Sequence, residues 1–237
     1  MSSNKQYSEP HDQDTGTRLN KLRAAVLGAD DGIVSIAGLV VGVAGATNNR
    51  STILTAGIAG VLAGALSMAA GEYVSVSSQR DTEKALLSKE RYEVDNFPKQ
   101  ELAELTGIYA DKGLSAKNAA TVAKELSSKD AYAAHIDAEL GINPKKLLNP
   151  WHAAIASACA FLGGSALPML AIMLPPANIR IVTTFISTIL ALALTGTLSA
   201  RFGHAPIKRA VYRVIAGGAL AMIVTYSIGH LVGAAGI

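Results

Sequence analysis

The chain has 237 residues, half of them hydrophobic, with a mean hydropathy of +0.30 and a formal net charge of +3. Lysines and arginines sit at the ends of apolar runs or within one polar block and form no basic stripe, which argues against a nucleic-acid partner. The single cysteine, Cys159, lies inside an apolar run, so neither a disulfide framework nor a cysteine zinc site can be built within one chain.

From the amino end, residues 1–20 read as a disordered cytoplasmic tail, polar and without the apolar core of a secretory signal. Apolar runs at 22–46 and 52–77 follow, then three more at 151–174, 179–200 and 211–235. Each is near the ~20 residues needed to cross a hydrocarbon core of about 30 Å. The expected class is all-α: a five-span helical bundle, with helices one and two in 21–78 and helices three to five in 150–237. Between them, 79–149 is polar, with helical patterns broken at Asn96-Phe97-Pro98, at Lys112-Gly113 and over 141–144. That segment reads as a small helical domain outside the membrane.

Positive charge orients the spans. Lys21 and Arg23, Arg80 and Lys84, Lys145 and Lys146, and Arg201, Lys208, Arg209 and Arg213 all fall on one face, against Arg50 and Arg180 on the other. Short loops rich in Lys and Arg stay cytoplasmic. The amino terminus and the polar domain are therefore expected inside and the carboxyl terminus outside, with a bacterial inner membrane as the best fit. Small residues recur four apart at Gly38 and Gly42, at Ala56, Gly60 and Gly64, and at Gly229 and Gly233, a spacing that lets helix backbones approach closely in lipid. Five helices make a thin bundle for a closed ion path, which predicts a homodimer with the path at or near the subunit interface.

Asp30 and Asp31 lie roughly 12–14 Å into the first span at 1.5 Å per residue. A carboxylate there costs at least ~2.5 kcal/mol and marks an ion path, a proton relay or a buried pair. Glu72 falls toward the cytoplasmic end of the antiparallel second span, at a depth similar to Asp31, and Met68 precedes it by one turn on the same helix face. Two carboxylates with a thioether suit a borderline ion such as ferrous iron better than calcium or magnesium, although a methionine on an apolar face is otherwise simple core filling. Adjacent in sequence, Asp30 and Asp31 point to different sides, so only one can face the path.

No Asp or Glu follows Glu139. In the polar block Glu90 with Glu93, and Glu101 with Glu104, form i,i+3 pairs, and His135 with Glu139 an i,i+4 pair. Carboxylate pairs on neighbouring helices joined by histidine are how di-iron bundles hold metal; the plainer reading of any one pair is a solvated helix face.

The stretches LRAAVLGADDGIVS at 22–35, AGALSMAAGEYVSV at 63–76 and QRD at 79–81 resemble the vacuolar iron transporter family, and the resemblance runs nearly the whole chain from Leu22 onward. It implies a dimeric five-span antiporter that exports cytosolic ferrous iron, and often manganese, in exchange for protons, with no enzyme activity and no resident cofactor. It places the transport path on Asp31, Met68 and Glu72, and the cytoplasmic metal ligands on Glu90, Glu93, Glu101, Glu104 and Glu139. Where plant-like members carry methionines in the third helix of that domain this chain has His135 and Ile136, and where many members carry Asn it has Asp30. The alternatives are a manganese exporter of the same mechanism and, from another class, a membrane-anchored iron-storage or ferroxidase module.

Overall fold

A computed structural model describes residues 15–236, with side chains from Ala25 onward; most of the expected tail, residues 1–14, lies outside the described residues. All regular structure among the described residues is helical. α1 spans Thr15–Ala46, α2 Arg50–Asn96, α3 Pro98–Asp111, α4 Ala116–His135, α5 Pro150–Met173, α6 Arg180–Phe202 and α7 Ile207–Ala234. A π-helical turn at Ile136–Leu140 and a 3-10 turn at Pro144–Lys146 separate α4 from α5. One boundary needs correcting: α1 starts at Thr15, so the last residues assigned to the 1–20 tail are helical. The reason is local, since 17–25 is rich in Arg, Leu, Lys and Ala, all good helix formers.

Five of these helices, α1, α2, α5, α6 and α7, are long and apolar enough to cross a membrane. The chain divides into two compact units, Met1–Gly71 with Ala154–Ile237, and Glu72–Ala153. They are called here the bundle unit and the polar unit.

In the bundle unit α1 is the helix on which the others pack. Ile36, Val40 and Ala44 of α1 are buried with Ile53 and Ala65 of α2 and Phe161 and Ile172 of α5. Ala37 and Val41, on the next face of α1, are buried with Met222 of α7. The small-residue ridges serve this packing. A methyl group added to Gly42 would meet the Thr225 carbonyl oxygen of α7 at 3.1 Å, and one on Gly229 would collide with the carbonyl of Gly42 itself. Gly60 and Gly64 likewise leave room for Leu39 and Phe161. In lipid such close approach is the source of helix association, because dispersion replaces the hydrophobic effect. On α6 the buried face is Arg180, Thr184, Thr188, Leu192, Gly196 and Ala200, one residue per turn. Thr184 is tolerated there because its hydroxyl donates to the Arg180 carbonyl at 2.7 Å. The buried Arg180 guanidinium donates to the carbonyl of Asn48 at 2.9 Å, satisfying backbone just past the end of α1.

In the polar unit the remainder of α2 continues without a break, since 77–96 holds neither Gly nor Pro, and stops at Asn96 before Pro98 opens α3. Leu87 of α2, Leu105 of α3 and Ala119 and Ala123 of α4 are buried in this unit. α4 is not regular throughout. Asp130 leaves helical geometry at φ −162°, ψ 97°, and its carboxylate accepts the Ala133 backbone N–H at 2.9 Å. It thus caps a fresh helical start that carries Tyr132 and His135.

Candidate functional site

Three segments of the polar unit bring acids onto one histidine. His135 ends α4 and is 1% exposed; Glu90 of α2 is 3% exposed and Glu101 in the first turn of α3 8%. The imidazole Nδ1 lies 3.0 Å from Glu90 Oε1, 3.4 Å from Glu101 Oε2 and 3.9 Å from Glu139 Oε2. Glu90, His135 and Glu139 offer ligand atoms that all lie within 4.8 Å of one another. The π-helical turn directly after His135 widens the backbone where Glu139 must come round to the same side, a device frequent at functional sites.

Among the described residues neither the Nδ1 of His135 nor the Oε1 of Glu90 has a hydrogen-bond partner, although both are buried and lie 3.0 Å apart. Their separation is right for a hydrogen bond but their orientation is wrong. Two ligands about 2.1 Å from one ion and at right angles to each other also stand about 3.0 Å apart. The donor set therefore fits a small divalent cation better than it fits a hydrogen-bonded core, where orphaned polar atoms are rare.

Charge crowding agrees. Burial first, then the charges of Glu139 and Glu101, push the Glu90 carboxyl up to about 7. Burial also raises Glu101, opposed by His135 and reinforced by Glu104, Glu93 and Glu139. A cation in the cluster would relieve both effects at once.

The structure thus gathers Glu90, Glu101, His135 and Glu139 and leaves Glu93 and Glu104 at the rim. Glu93 is half-buried and held by Lys89 at 3.1 Å, and Glu104 is exposed. Each i,i+3 pair is split because only its first member lies in phase with a buried apolar residue on the same helix: Glu90 with Leu87, Glu101 with Leu105. Sequence reasoning passed over Tyr132 and the part that Arg91 plays beside it. The Tyr132 hydroxyl donates to the Leu87 carbonyl at 3.2 Å, and the Arg91 guanidinium lies 4.6 Å from the centre of the Tyr132 ring. They bind the histidine-bearing helix to the α2 residues flanking Glu90, and a tyrosine one turn before His135 was the available signal.

Of the residues expected in the membrane path, Asp31 and Met68 belong to the bundle unit and Glu72 opens the polar unit. Asp31 is exposed on α1 and accepts the Ser35 hydroxyl at 2.9 Å. Met68 packs against the cluster around Ile36 and Phe161, so core filling describes at least part of its role. Glu72 is half-buried. Asp30 turns the other way and accepts the Thr195 hydroxyl of α6. The two adjacent aspartates therefore divide, one inward and one outward.

The family model described as the VIT family matches residues 22–230. The chain is 42% identical over 225 residues to a protein of Acanthamoeba castellanii named vacuolar iron transporter, a match covering 94% of this chain and 82% of that one. It is 36% identical over 221 residues to vacuolar iron transporter homolog 1 of Oryza sativa subsp. japonica, covering 93% and 77%. To vacuolar iron transporter homolog 2.1 of Arabidopsis thaliana it is 32% identical over 250 residues, covering 99% and 98%.

Proposed function

We infer that this chain, which belongs to the VIT family, carries ferrous iron across the membrane, out of the cytosol and in exchange for protons, with manganese as the second cargo. Its five long apolar helices make it a multi-pass membrane protein. The relatives' names supply the iron; the residues supply the rest of the reading.

One observation carries it. Asp31 is a carboxylate within an apolar span, on a side of α1 that the bundle leaves open, in a row with Leu27 and Ser35 four residues to either side. Facing lipid it would cost at least ~2.5 kcal/mol. Facing a second copy across a metal path it would be neutralised by a cation or a proton. In this reading the protein is a homodimer, the path runs between the subunits, and Asp31, Met68 and Glu72 line it. The polar unit lies in the cytosol of a bacterial cell as an inserted metal-binding domain, the carboxyl terminus lies outside the inner membrane, and Glu90, Glu101, His135 and Glu139 collect ions from the cytosol. Glu93 and Glu104 add negative charge at the rim.

Coupling follows from electrostatics. Burial disfavours an ionised carboxylate, whereas a bound divalent ion favours it, so metal and proton compete for the same oxygens. Carrying an ion makes and breaks no covalent bond, so the chain is not an enzyme and needs no resident cofactor. A ferroxidase module would use the cytosolic cluster but gives Asp31 no role.

The test is uptake of Fe2+ by proteoliposomes containing an internal pH dye. Asp31→Ala and Glu72→Ala are each expected to cut metal uptake and the coupled proton signal more than tenfold while the protein elutes and melts as wild type. Uptake unchanged by Asp31→Ala would end the proposal.

A further inference from the structure

His135 is the one nitrogen ligand in an otherwise oxygen cluster, and its geometry makes it hard to bypass. It is buried to 1% exposure, and Tyr132 one turn earlier is fixed to the Leu87 carbonyl and lies beneath Arg91. Its Nδ1 lies 3.0 Å from Glu90 Oε1, and among the described residues neither atom has a hydrogen-bond partner. Any ion held by Glu90 and Glu101 thus meets that nitrogen, with separations of 3.0 Å and 3.4 Å to the two carboxylates. The exposed Glu139, at 3.9 Å, is the ligand free to close in.

We propose that His135 sets the metal selectivity of the cytosolic cluster, favouring ions that bind imidazole well, ferrous iron, cobalt, nickel and zinc, over manganese, magnesium and calcium. This rests on the reading of the cluster as a metal site. Two physical differences give the preference. Imidazole nitrogen suits the later first-row ions, whereas carboxylate, carbonyl and water suffice for Mg2+, Ca2+ and Mn2+, and affinity rises along Mn2+, Fe2+, Co2+ in sites that hold nitrogen. Ligand type acts the same way against calcium, which wants six to eight oxygens at 2.3–2.6 Å, whereas the buried centre of this cluster gives one place to a nitrogen. The cluster thereby acts as a filter upstream of the membrane path, admitting ferrous iron against the large magnesium background of a cytosol.

The experiment uses the full chain in detergent, with Co2+ as an air-stable probe for ferrous iron and Mn2+ as the competitor. Wild type is expected to bind Co2+ at least tenfold tighter than Mn2+ and to resist a large excess of Mg2+. Pulsed EPR of the Mn2+-loaded protein should show modulation from a coordinated nitrogen. His135→Glu replaces nitrogen by oxygen and is expected to narrow the Co2+/Mn2+ ratio at least threefold while binding persists. His135→Gln should keep the fold, checked by its melting temperature, and lose the nitrogen modulation. Binding with no nitrogen modulation, or an unchanged ratio in His135→Glu, overturns the selectivity role and leaves the metal site standing. Binding indifferent to Glu90→Gln and Glu101→Gln together would remove the metal site itself, and this inference with it.

Discussion

Glu90 is buried beside other acids, and the consequence for stability has a definite sign. Its carboxyl moves from an ordinary 4.5 to about 7 in the folded protein, through burial first and then the charges of Glu139 and Glu101. Between those two values an unfolded chain has lost the proton that the folded chain retains. Folding then takes up a proton, so metal-free stability is greatest at the acid end, declines as pH rises through this window and levels off above about 7. Metal works in the opposite direction, since only the ionised oxygens bind it, and its affinity should climb across the same range. Melting of the chelator-treated protein is therefore expected to fall from pH 5 to pH 7, and less so in Glu90→Gln; a melting temperature that rises across that interval would contradict the assignment. Asp30 presents a milder case. Its partner Thr195 has a second acceptor in the Leu192 carbonyl at 3.3 Å, so Asp30→Ala should cost only about 1 kcal/mol. Asp30→Asn, which keeps an acceptor for that hydroxyl, should transport iron within about twofold of wild type in the proteoliposome assay.

At the level of elements, the helix ends were readable wherever the backbone carries its own stop. The breaks at Asn96-Phe97-Pro98, at Lys112-Gly113 and over 141–144 all coincide with helix ends, because Pro lacks a donor and Gly accepts the left-handed turn that Gly141 adopts at φ 61°. The end of the second apolar run at Ser77 was readable only as a change of solvent, and α2 passes straight through it. The irregular end of α4 was not legible, since a π-helical turn has no composition of its own. Asp130 alone hinted at it, as a favoured N-cap residue inside a helical pattern. Its loss should be felt at the site: Asp130→Ala is expected to cost about 1 kcal/mol and weaken Co2+ binding through His135, whereas Asp130→Asn restores both. Equal binding by the two variants would show that the cap does not position the histidine. Within α7 the glycines can be ranked in the same way. Gly229 abuts Gly42 backbone to backbone, whereas a methyl on Gly217 meets nothing within 4 Å among the described residues. Gly229→Ala should lower the melting temperature by several degrees and Gly217→Ala should leave it unchanged.

Across the whole molecule, the arrangement of small residues bears on how two copies could meet. All three glycine ridges pack inside one chain, between α1 and α7 or between α2 and its neighbours α1 and α5. They are therefore spent, and a dimer must use another surface. α1 is the most buried of the five spans yet leaves Leu27, Asp31 and Ser35 exposed in a row. Leu27 alone would be content in lipid, but Asp31 would not, and the Ser35 hydroxyl satisfies only one of its lone pairs. A second copy related by a two-fold axis would place two such rows face to face, converting a costly exposed carboxylate into a paired one with space for a cation between. Because Cys159 is exposed, the test starts from Cys159→Ser. Adding Leu27→Cys should then give a covalent dimer on mild oxidation in native membranes, since symmetry brings each such position near its own copy. Leu194→Cys, on an exposed position of α6, should give none. A chain that stays monomeric under oxidation, and that also elutes from detergent at the mass of a single 24.5 kDa subunit, would leave Asp31 facing lipid and remove the dimer interface as the site of the path.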